Sequence, residues 1–460
     1  MRKYLPLVAL PALLLLGCTT LPRIVPGRSI VDRAPLDVVG ARGRLSDAHS
    51  KALIKALSET GPATGIYERH LAVEEAIVGS PLSSGNAVLL LQDGPATYRA
   101  MLASIAAARD HIHMETYILD GDAIGLQFVD ALIAKQRQGV QVSLIRDSVG
   151  TVGTPAALFD RLTASGAQVL EFNPLNPLAA HRDWAINERD HRKLLIVDGS
   201  TAFLGGINIS SVYSGGSARN SARKNATAHS EVAWRDTDLR LQGPVVAEFQ
   251  RLFVESWDSQ HGEPLVQRDW YPTRAPAGTL VVRAIGSSPD ESFSQIYATL
   301  LSAIANAQTS VQITNAYFVP DPQLLTALAA AAGHGVAVTL ILPSRTDSWL
   351  VFHAGRGYYD GLLSAGVRIY EREGVVLHSK VALIDGVWAT VGSTNLDWRS
   401  FLHNHELNAV VLGSEFGDQV NAMFAKDLAR SRQITLQQWR RRGIAPRMAE
   451  WFARQWQYWL

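Results

Sequence analysis

Short apolar runs typical of buried strands alternate with helical stretches along most of the chain, and this alternation occurs twice. Each copy predicts a helix, an apolar strand, a helix, a second strand, a helix ending in glycine and a third strand. The copies occupy residues 101–172 and 300–372, with the glycines at Gly166 and Gly366. Strands that alternate with helices predict parallel α/β units joined by right-handed crossovers. We therefore predict two similar α/β domains in one chain.

The residues that precede this duplication have a different pattern. Residues 5–16 form an apolar run of about 12 residues after a basic start. A membrane span needs roughly 20 residues, so the run is typical of a signal peptide. It ends at Cys18, the only cysteine, in a segment (LLGC) that resembles a bacterial lipobox, although Leu16 is larger than usual there. The alternative is a free thiol in a cleaved signal or a short anchor.

The leader predicts an exported bacterial lipoprotein, lipidated on Cys18 and anchored to a membrane on its periplasmic side. The next residue is Thr19 rather than aspartate, which favours the outer membrane. With one cysteine, the chain can form no intrachain disulfide.

The pattern divides the chain into four predicted regions. These are a signal peptide (1–17), a tether and N-terminal segment (18–65), a first α/β domain (66–270) and a second α/β domain (271–460). Helices are predicted at 47–59 and 67–78. The second domain ends in a segment rich in tryptophan and arginine, which suits either a membrane interface or a closing helix docked on the domain.

Composition narrows the possible partners. The 460 residues are 47% hydrophobic and carry a net charge of +1, as in an ordinary globular protein. A near-neutral chain has no overall attraction for nucleic acid, so we expect no nucleic-acid partner.

One polar motif is repeated in register between the two halves. It has the form His-x-Lys-x4-Asp-x6-Gly-[Gly/Ser]-x-Asn. The first copy consists of His191, Lys193, Asp198 and Asn208, and the second of His378, Lys380, Asp385 and Asn395. Since all four positions keep one offset, the two copies predict two equivalent halves of one site, related by a pseudo-twofold axis.

The motif suits a phosphodiester. Residues i and i+2 of a strand project to the same face, so each histidine lies beside its lysine. Lysines and amides suit the phosphate oxygens, and we assign Lys193, Asn208, Lys380, Ser393 and Asn395 to substrate binding. Two histidines suit covalent catalysis, in which one attacks phosphorus and the other transfers protons. The sequence symmetry leaves open which histidine attacks.

Four further acidic residues have predicted supporting roles. Asp198 and Asp385 fall at Asp-Gly turns between apolar runs, so we interpret them as structural residues of β-hairpins. Asp236 and Glu406 stand at equivalent places in the two halves. We predict that each lies behind the histidine of its own half and fixes the orientation of that ring.

The first half alone carries two insertions beside its motif, at 173–190 and 213–229. Loops of this kind often control access to a site.

The paired motif resembles that of the phospholipase D superfamily, and the wider sequence from about residue 65 onward is most similar to the bacterial cardiolipin synthases. The resemblance implies two phospholipase D-like α/β domains about a pseudo-twofold axis, with the active site at their interface. It implies a two-step transfer without metal or other cofactor, with His191 as nucleophile and His378 as general acid and base.

The resemblance also implies the substrates. The expected partners are a phospholipid membrane, a phosphatidylglycerol-like donor, and an alcohol or phospholipid acceptor. The alternatives are a phospholipase D that releases phosphatidic acid, a superfamily nuclease, and a non-catalytic scaffold lipoprotein. The oligomeric state is left open.

Overall fold

A computed structural model describes residues 23, 25, 34–62, 64–179, 184–216, 232–273 and 275–460. The predicted lipidation site Cys18 and most of the second insertion, at 217–231, lie outside these residues. Within the described ranges, no helix combines the length and apolarity needed to cross a bilayer.

The described chain contains strands from both halves that join into extended sheets. The strands are β1 Val38–Gly40, β2 Gly43–Arg44, β3 Leu82–Gln92, β4 His111–Thr116, β5 Gln141–Asp147, β6 Gln168–Phe172, β7 Arg189–Asp190, β8 Lys193–Val197, β9 Thr201–Gly205, β10 Trp234–Arg235, β11 Thr237–Gln242, β12 Leu280–Ser287, β13 Ser310–Asn315, β14 Ala337–Pro343, β15 Arg368–Arg372, β16 Val376–Leu377, β17 Lys380–Ile384, β18 Trp388–Gly392, β19 Asn404–Leu412 and β20 Ser431–Ile434.

Helices pack on the sheets of both halves. They are α1 Asp47–Thr60, α2 Leu71–Ile77, α3 Asp93–Ala107, α4 Ala123–Arg137, α5 Ala156–Ala164, α6 Val246–Ser259, α7 Gln295–Asn306, α8 Pro322–Gly333, α9 Trp349–Arg356, α10 Tyr359–Ser364, α11 Trp398–Leu402, α12 Ser414–Leu428, α13 Leu436–Arg440 and α14 Ile444–Arg454. A π-helical turn, Ile66–His70, precedes α2.

The two halves repeat one strand order. The first sheet runs β3-β11-β9-β8-β4-β5-β6. The second runs β12-β19-β18-β17-β13-β14-β15 and ends with the additional strand β20. Each position of one order corresponds to the same position of the other, which confirms the predicted pair of similar α/β domains.

The predicted parallel units account for three strands of each repeat. β4, β5 and β6 pair in parallel, as do β13, β14 and β15. The remaining pairings within each repeat are antiparallel, because the motif forms a hairpin (β8–β9 or β17–β18) that returns alongside the parallel strands. The motif therefore sits at the centre of each sheet.

The first strand of each repeat was not predicted. β3 pairs through its later residues with β11 and through its earlier residues with β12, so it belongs to both sheets. The segment before it packs on the second half, where Ile66, Leu71 and Ile77 join the core built around α7. The domain boundary at residue 66 stays a prediction, but the residues just after it contribute to the core of the second half.

The inner faces of the two sheets share one apolar core. Leu194 and Leu204 of the first motif hairpin belong to the same buried cluster as Val381 and Val391 of the second. Phe249 of α6 completes this cluster from the first half. The halves are thereby packed against each other close to both motifs.

Candidate active site

Short strand pairings across the halves set the geometry of the site. β7, just before His191, pairs in parallel with the start of β19, so that Asp190 is opposite His405. β10 pairs in the same way with β16, just before His378, so that Arg235 is opposite Leu377. Each histidine is therefore one residue beyond a pairing that joins the two halves.

These pairings place each carboxylate behind the histidine of the other half. Glu406 follows His405, and its carboxylate lies 3.0 Å from Nδ1 of His191. Asp236 follows Arg235, and its carboxylate lies 2.7 Å from Nδ1 of His378. The predicted pairing within each half is therefore wrong, although both carboxylates do stand behind a histidine. The strand pairings explain this exchange of partners. The residue after each paired position, Glu406 or Asp236, contacts the motif histidine of the opposite half.

With Nδ1 facing a carboxylate, Nε2 is the nitrogen left for chemistry in each ring. Burial, together with Lys193 and Lys380, lowers the pKa of His191 well below its usual value. Burial and Lys380 also lower the pKa of His378, while Asp236 acts in the opposite direction. Both rings are thus favoured as neutral imidazoles in the empty site.

Glu406 has a shifted pKa as well. Burial raises the pKa of its carboxyl group to about 7, and Lys193 acts against that rise. The carboxylate also accepts hydrogen bonds from the hydroxyl of Ser393 and from the amide of Asn404.

Ser393 therefore serves a different purpose from the predicted one. Its hydroxyl donates to Glu406 and accepts from the backbone N–H of Leu407 at 2.9 Å. Because both of these bonds engage the hydroxyl within the protein, the assignment of Ser393 to substrate binding is corrected to positioning of Glu406. Gly206 is the equivalent residue of the first half, and there a Cβ atom would overlap the carboxylate of Asp236. In each half, the residue two positions before the motif asparagine is thus suited to the carboxylate of that half.

The two lysines lie under the histidines. Nζ of Lys193 donates to the carbonyl of His191 at 2.6 Å, and Nζ of Lys380 lies 3.0 Å from Nδ1 of His378. Burial lowers the pKa of Lys193 to about 7 and that of Lys380 to about 8. A phosphodiester anion beside them would offset this cost and restore their charge.

The two motif asparagines line the same cavity but differ in their bonds. Oδ1 of Asn208 accepts from the backbone N–H of Ile118 at 3.1 Å, and its Nδ2 donates to the Tyr213 hydroxyl at 3.1 Å. Oδ1 of Asn395 is buried and has no hydrogen-bond partner within the described structure. Asn395 therefore has more capacity left for a ligand.

Asp198 and Asp385 lie away from the cavity, at the hairpin turns. Asp198 accepts from the backbone N–H groups of Arg109, Asp110 and His111, which lead into β4. Asp385 accepts from those of Gln308, Thr309 and Ser310, which lead into β13. These contacts support their interpretation as structural residues.

A cavity of about 420 Å³ brings both motifs together. His191 and His378 both line it, which is the arrangement expected for one shared site. The cavity is also lined by residues to which the sequence assigned no role. These are Ile118, Arg189, Trp234, Asp347, Val351, Asp397, Arg399, Ser400, Asn404, Trp459 and Leu460, together with Tyr117, Tyr213 and Tyr317.

Aromatic rings hold the histidines from the sides. Tyr117 meets His191 edge-on with ring centroids 5.1 Å apart, and Trp234 lies 5.1 Å from His378. Tyr117 and Tyr317 lie just after β4 and β13, where side chains at strand ends face a site. Arg189, Trp234 and Asn404 belong to the short strand pairings between the halves, and the sequence carries no local pattern that predicts these pairings.

Metal-capable side chains also come together outside this cavity. Among the described residues, Glu188, Asp290 and His405 have ligand atoms within 4.8 Å of one another. Asp290 is exposed, and His405 points to the opposite face of β19 from Glu406, as neighbours on a strand do. This group takes no part in the histidine site, and the expectation of a reaction without metal or cofactor stays a prediction.

Comparison with known proteins agrees with this site. The family described as "Cardiolipin synthase, PLD-like domain" matches residues 101–253 and 300–428. The chain is 35% identical over 373 residues to the cardiolipin synthase of Geobacillus kaustophilus, which covers 80% of this chain and 72% of that protein. It is 33% identical over 369 residues to the major cardiolipin synthase ClsA of Bacillus subtilis, covering 79% of this chain and 73% of that protein.

A solved structure shares the fold. The phosphatidylserine synthase of Haemophilus influenzae matches with a TM-score of 0.58 over 80% of this chain and 92% of its own, at 12% identity.

Two PLD-like domains around one histidine site define the class, which is an enzyme of the phospholipase D superfamily. Within that class, the chain belongs to the cardiolipin synthase family. Its activity is accordingly a phosphatidyl transfer of the cardiolipin synthase type, with phospholipids as substrates.

Proposed function

We propose that the enzyme transfers a phosphatidyl group from phosphatidylglycerol to the hydroxyl of a second phosphatidylglycerol, through a phosphohistidine on His191. The observation that supports this most is the pair of histidines in one cavity, each with Nδ1 held by a carboxylate. Two rings of this kind provide one nucleophile and one proton carrier in the same space.

In the first half-reaction, Nε2 of neutral His191 attacks phosphorus. The bond from phosphorus to the glycerol oxygen breaks, and His378 in its imidazolium form gives its proton to that oxygen. Free glycerol leaves, and the phosphatidyl group remains on His191. The phosphate charge beside Lys193 and Lys380 offsets their repulsion of a protonated His378, so substrate binding favours the acid form that this step needs.

In the second half-reaction, neutral His378 takes the proton of the acceptor hydroxyl as its oxygen attacks phosphorus. The bond from phosphorus to Nε2 of His191 breaks, which releases cardiolipin and the free histidine. Both half-reactions use the same lysines for the phosphate oxygens. We propose Nε2 of His191 as the nucleophile because the lowered pKa of His191 keeps its ring neutral, so that the lone pair of Nε2 is available for attack.

The test is lipid analysis after incubation with phosphatidylglycerol vesicles, with and without EDTA. We expect cardiolipin and an equal amount of glycerol, and no effect of the chelator. His191→Ala and His378→Ala should each reduce the rate at least about 10³-fold. Release of phosphatidic acid without cardiolipin would contradict the proposed acceptor.

We further propose that the protein is an exported lipoprotein, anchored through Cys18 to a membrane on its periplasmic side, most simply the outer membrane. The support is the apolar leader that ends at the single cysteine of the chain. Metabolic labelling with a radioactive fatty acid should mark the wild type and not Cys18→Ser. Labelling of both proteins would contradict lipidation at this residue.

A further inference from the structure

The helix α14 carries its apolar face outward. Ile444, Met448 and Trp451 lie on one side of the helix, with 77%, 56% and 61% of their surface exposed. Phe452, beside them, is also exposed. The opposite side of the helix packs against the rest of the protein, since Ala453 and Glu450 on that side are buried. An amphipathic helix on a protein surface normally buries its apolar stripe, so this orientation leaves a large apolar area without a covering element in the described structure.

This face continues to the mouth of the active-site cavity. Trp459 and Leu460 line the cavity, and Trp459 is mostly exposed. Trp349, at the start of α9, is also exposed, and its ring lies 6.5 Å from that of Phe452. Val351 of the same helix lines the cavity. Exposed apolar side chains therefore extend from α14 to segments whose residues line the cavity.

The first half also exposes apolar side chains in the segment that leads to the cavity. Leu178 and Ile186, between β6 and β7, are 94% and 51% exposed. Arg189 of the same segment lines the cavity, and Arg399 of the cavity wall donates to the side-chain oxygen of Asn187, the neighbour of Ile186. Both halves therefore expose apolar residues in segments that lead to this cavity.

Basic residues border the apolar stripe of α14. Arg447 and Arg454 follow one edge of the helix, and Arg441 precedes it, all three exposed. In the part of the chain that the structure describes, none of them forms an ion pair with a carboxylate. Exposed arginines beside tryptophans complement an anionic lipid surface, with the rings at the interface and the guanidinium groups at the phosphates.

We propose that this face, consisting of Trp349, the outer stripe of α14, Trp459 and the side chains of Leu178 and Ile186, docks on an anionic phospholipid bilayer and directs lipids into the cavity. The proposal rests on the proposed function, because it names how that site receives its substrate. It also selects the membrane-interface alternative for the outer stripe of the C-terminal segment, while Trp439 of the same segment is buried in the core.

The first test uses site-specific probes in the full chain. Cys18→Ser removes the only native cysteine, and Met448→Cys or Leu178→Cys then carries an environment-sensitive fluorophore. Val266→Cys is the matched control, since Val266 is 42% exposed and its backbone N–H donates to Gln168 at the start of β6, whereas the cavity lies beyond the ends of the parallel strands. On vesicles of equal parts phosphatidylglycerol and phosphatidylcholine, spin-labelled lipid should quench the first two probes and not the third. Equal quenching at all three positions, or none at 448 and 178, would overturn the proposal.

The second test separates docking from chemistry. The double variant Trp451→Ser/Phe452→Ser should turn over vesicular phosphatidylglycerol at least about tenfold more slowly, because it loses two aromatic anchors. Its turnover rate on short-chain phosphatidylglycerol below the critical micelle concentration should match that of the wild type. If both rates fall together, docking at this face is contradicted. If the wild type turns over neither substrate, the proposed function fails, while the probe result still decides the docking face.

Discussion

His191 and His378 carry the same motif, but different carboxylates stand behind them, and each of those comes from the other half of the chain. Glu406 is held by Ser393 and Asn404, whereas Asp236 is accommodated by the absence of a side chain at Gly206. The two half-reactions should therefore respond differently to changes in the two carboxylates.

The crossed pairing predicts which step each carboxylate supports. A phosphatidyl donor with a p-nitrophenol leaving group needs no proton in the first step. With this donor, Asp236→Asn should still form the phosphohistidine and accumulate it, because only the base function of His378 is impaired. Glu406→Gln should form it about 10²-fold more slowly, because His191 loses its partner.

Rapid quenching with a donor labelled at phosphorus measures the covalent intermediate, and His191→Ala serves as the blank. If Asp236→Asn instead slowed formation of the intermediate while Glu406→Gln accumulated it, His378 rather than His191 would be the nucleophile.

The lysine pKa values predict the basic limb of the pH profile. A lysine is charged below its pKa, so the phosphate site weakens as pH rises through the values of about 7 and 8 for Lys193 and Lys380. We expect KM to increase between pH 7 and 9, and Lys380→Arg to move this increase to higher pH, since arginine stays charged.

Stability should follow the opposite direction in the same pH range. Because the folded pKa values of these lysines are lowered, the unfolded chain binds more protons, and their contribution to stability grows as pH rises. Thermal melting measured beside the kinetics separates the two effects. If the melting temperature fell over the pH range in which KM increases, the increase in KM would be due to unfolding rather than to weaker binding at the phosphate site.

At the scale of the elements, each motif hairpin is fastened to the first parallel strand of its repeat. Asp198 and Asp385 both have positive φ, at 51° and 50°, and each accepts hydrogen bonds from three successive backbone N–H groups. These contacts fix the position of the hairpin turn relative to the parallel strand. They thereby set the register of the hairpin, which places the histidine at the cavity with the lysine beside it.

These aspartates should affect folding more than chemistry. We expect Asp198→Ala to lower the free energy of unfolding by about 1–3 kcal/mol, because three backbone donors lose their acceptor. Asp198→Asn should cost less, since asparagine tolerates positive φ and retains one oxygen. Urea unfolding measures both variants, and the KM of the folded fraction should be unchanged. A raised KM at full stability would indicate a direct role in substrate binding.

Element prediction from the sequence was most successful where the repeat was strongest. The helices before β4 and β13, the parallel strands and the hairpins were all predicted, because apolar periodicity and Asp-Gly turns determine them locally. β3 and β12 were missed, although the apolar run at the end of β3 is visible in the sequence. Their role as the link between two sheets depends on residues far away in the chain, so no local pattern indicated it.

At the scale of the whole molecule, the halves form one unit. They share a buried cluster, the strand β3, and the pairings of β7 with β19 and β10 with β16. A half by itself would leave its histidine without the carboxylate that orients it. The active site is consequently a property of the assembled pair.

This packing predicts tolerance to a cut between the halves. The described residues of the segment 260–273 are largely exposed coil, so a protease site inserted there should be cleaved without disturbing either sheet. We expect the two fragments to elute together in gel filtration and to retain most of the activity, since the apolar interface holds them. Separation of the fragments at low salt, or loss of activity while they stay together, would contradict this expectation.

The sequence by itself determined the repeat, the fold class and the identity of the polar residues, because matched spacing of a motif survives in one dimension. Only the tertiary structure decided which carboxylate serves which histidine, that Ser393 holds Glu406, and that loops from both halves close the cavity. The match of carboxylate to histidine depends on contacts between residues 142 and 215 positions apart, whose geometry comes from how two sheets pack. Symmetry in the sequence suggested that each half supplies the carboxylate for its own histidine, and the packing shows that each half supplies it for the other.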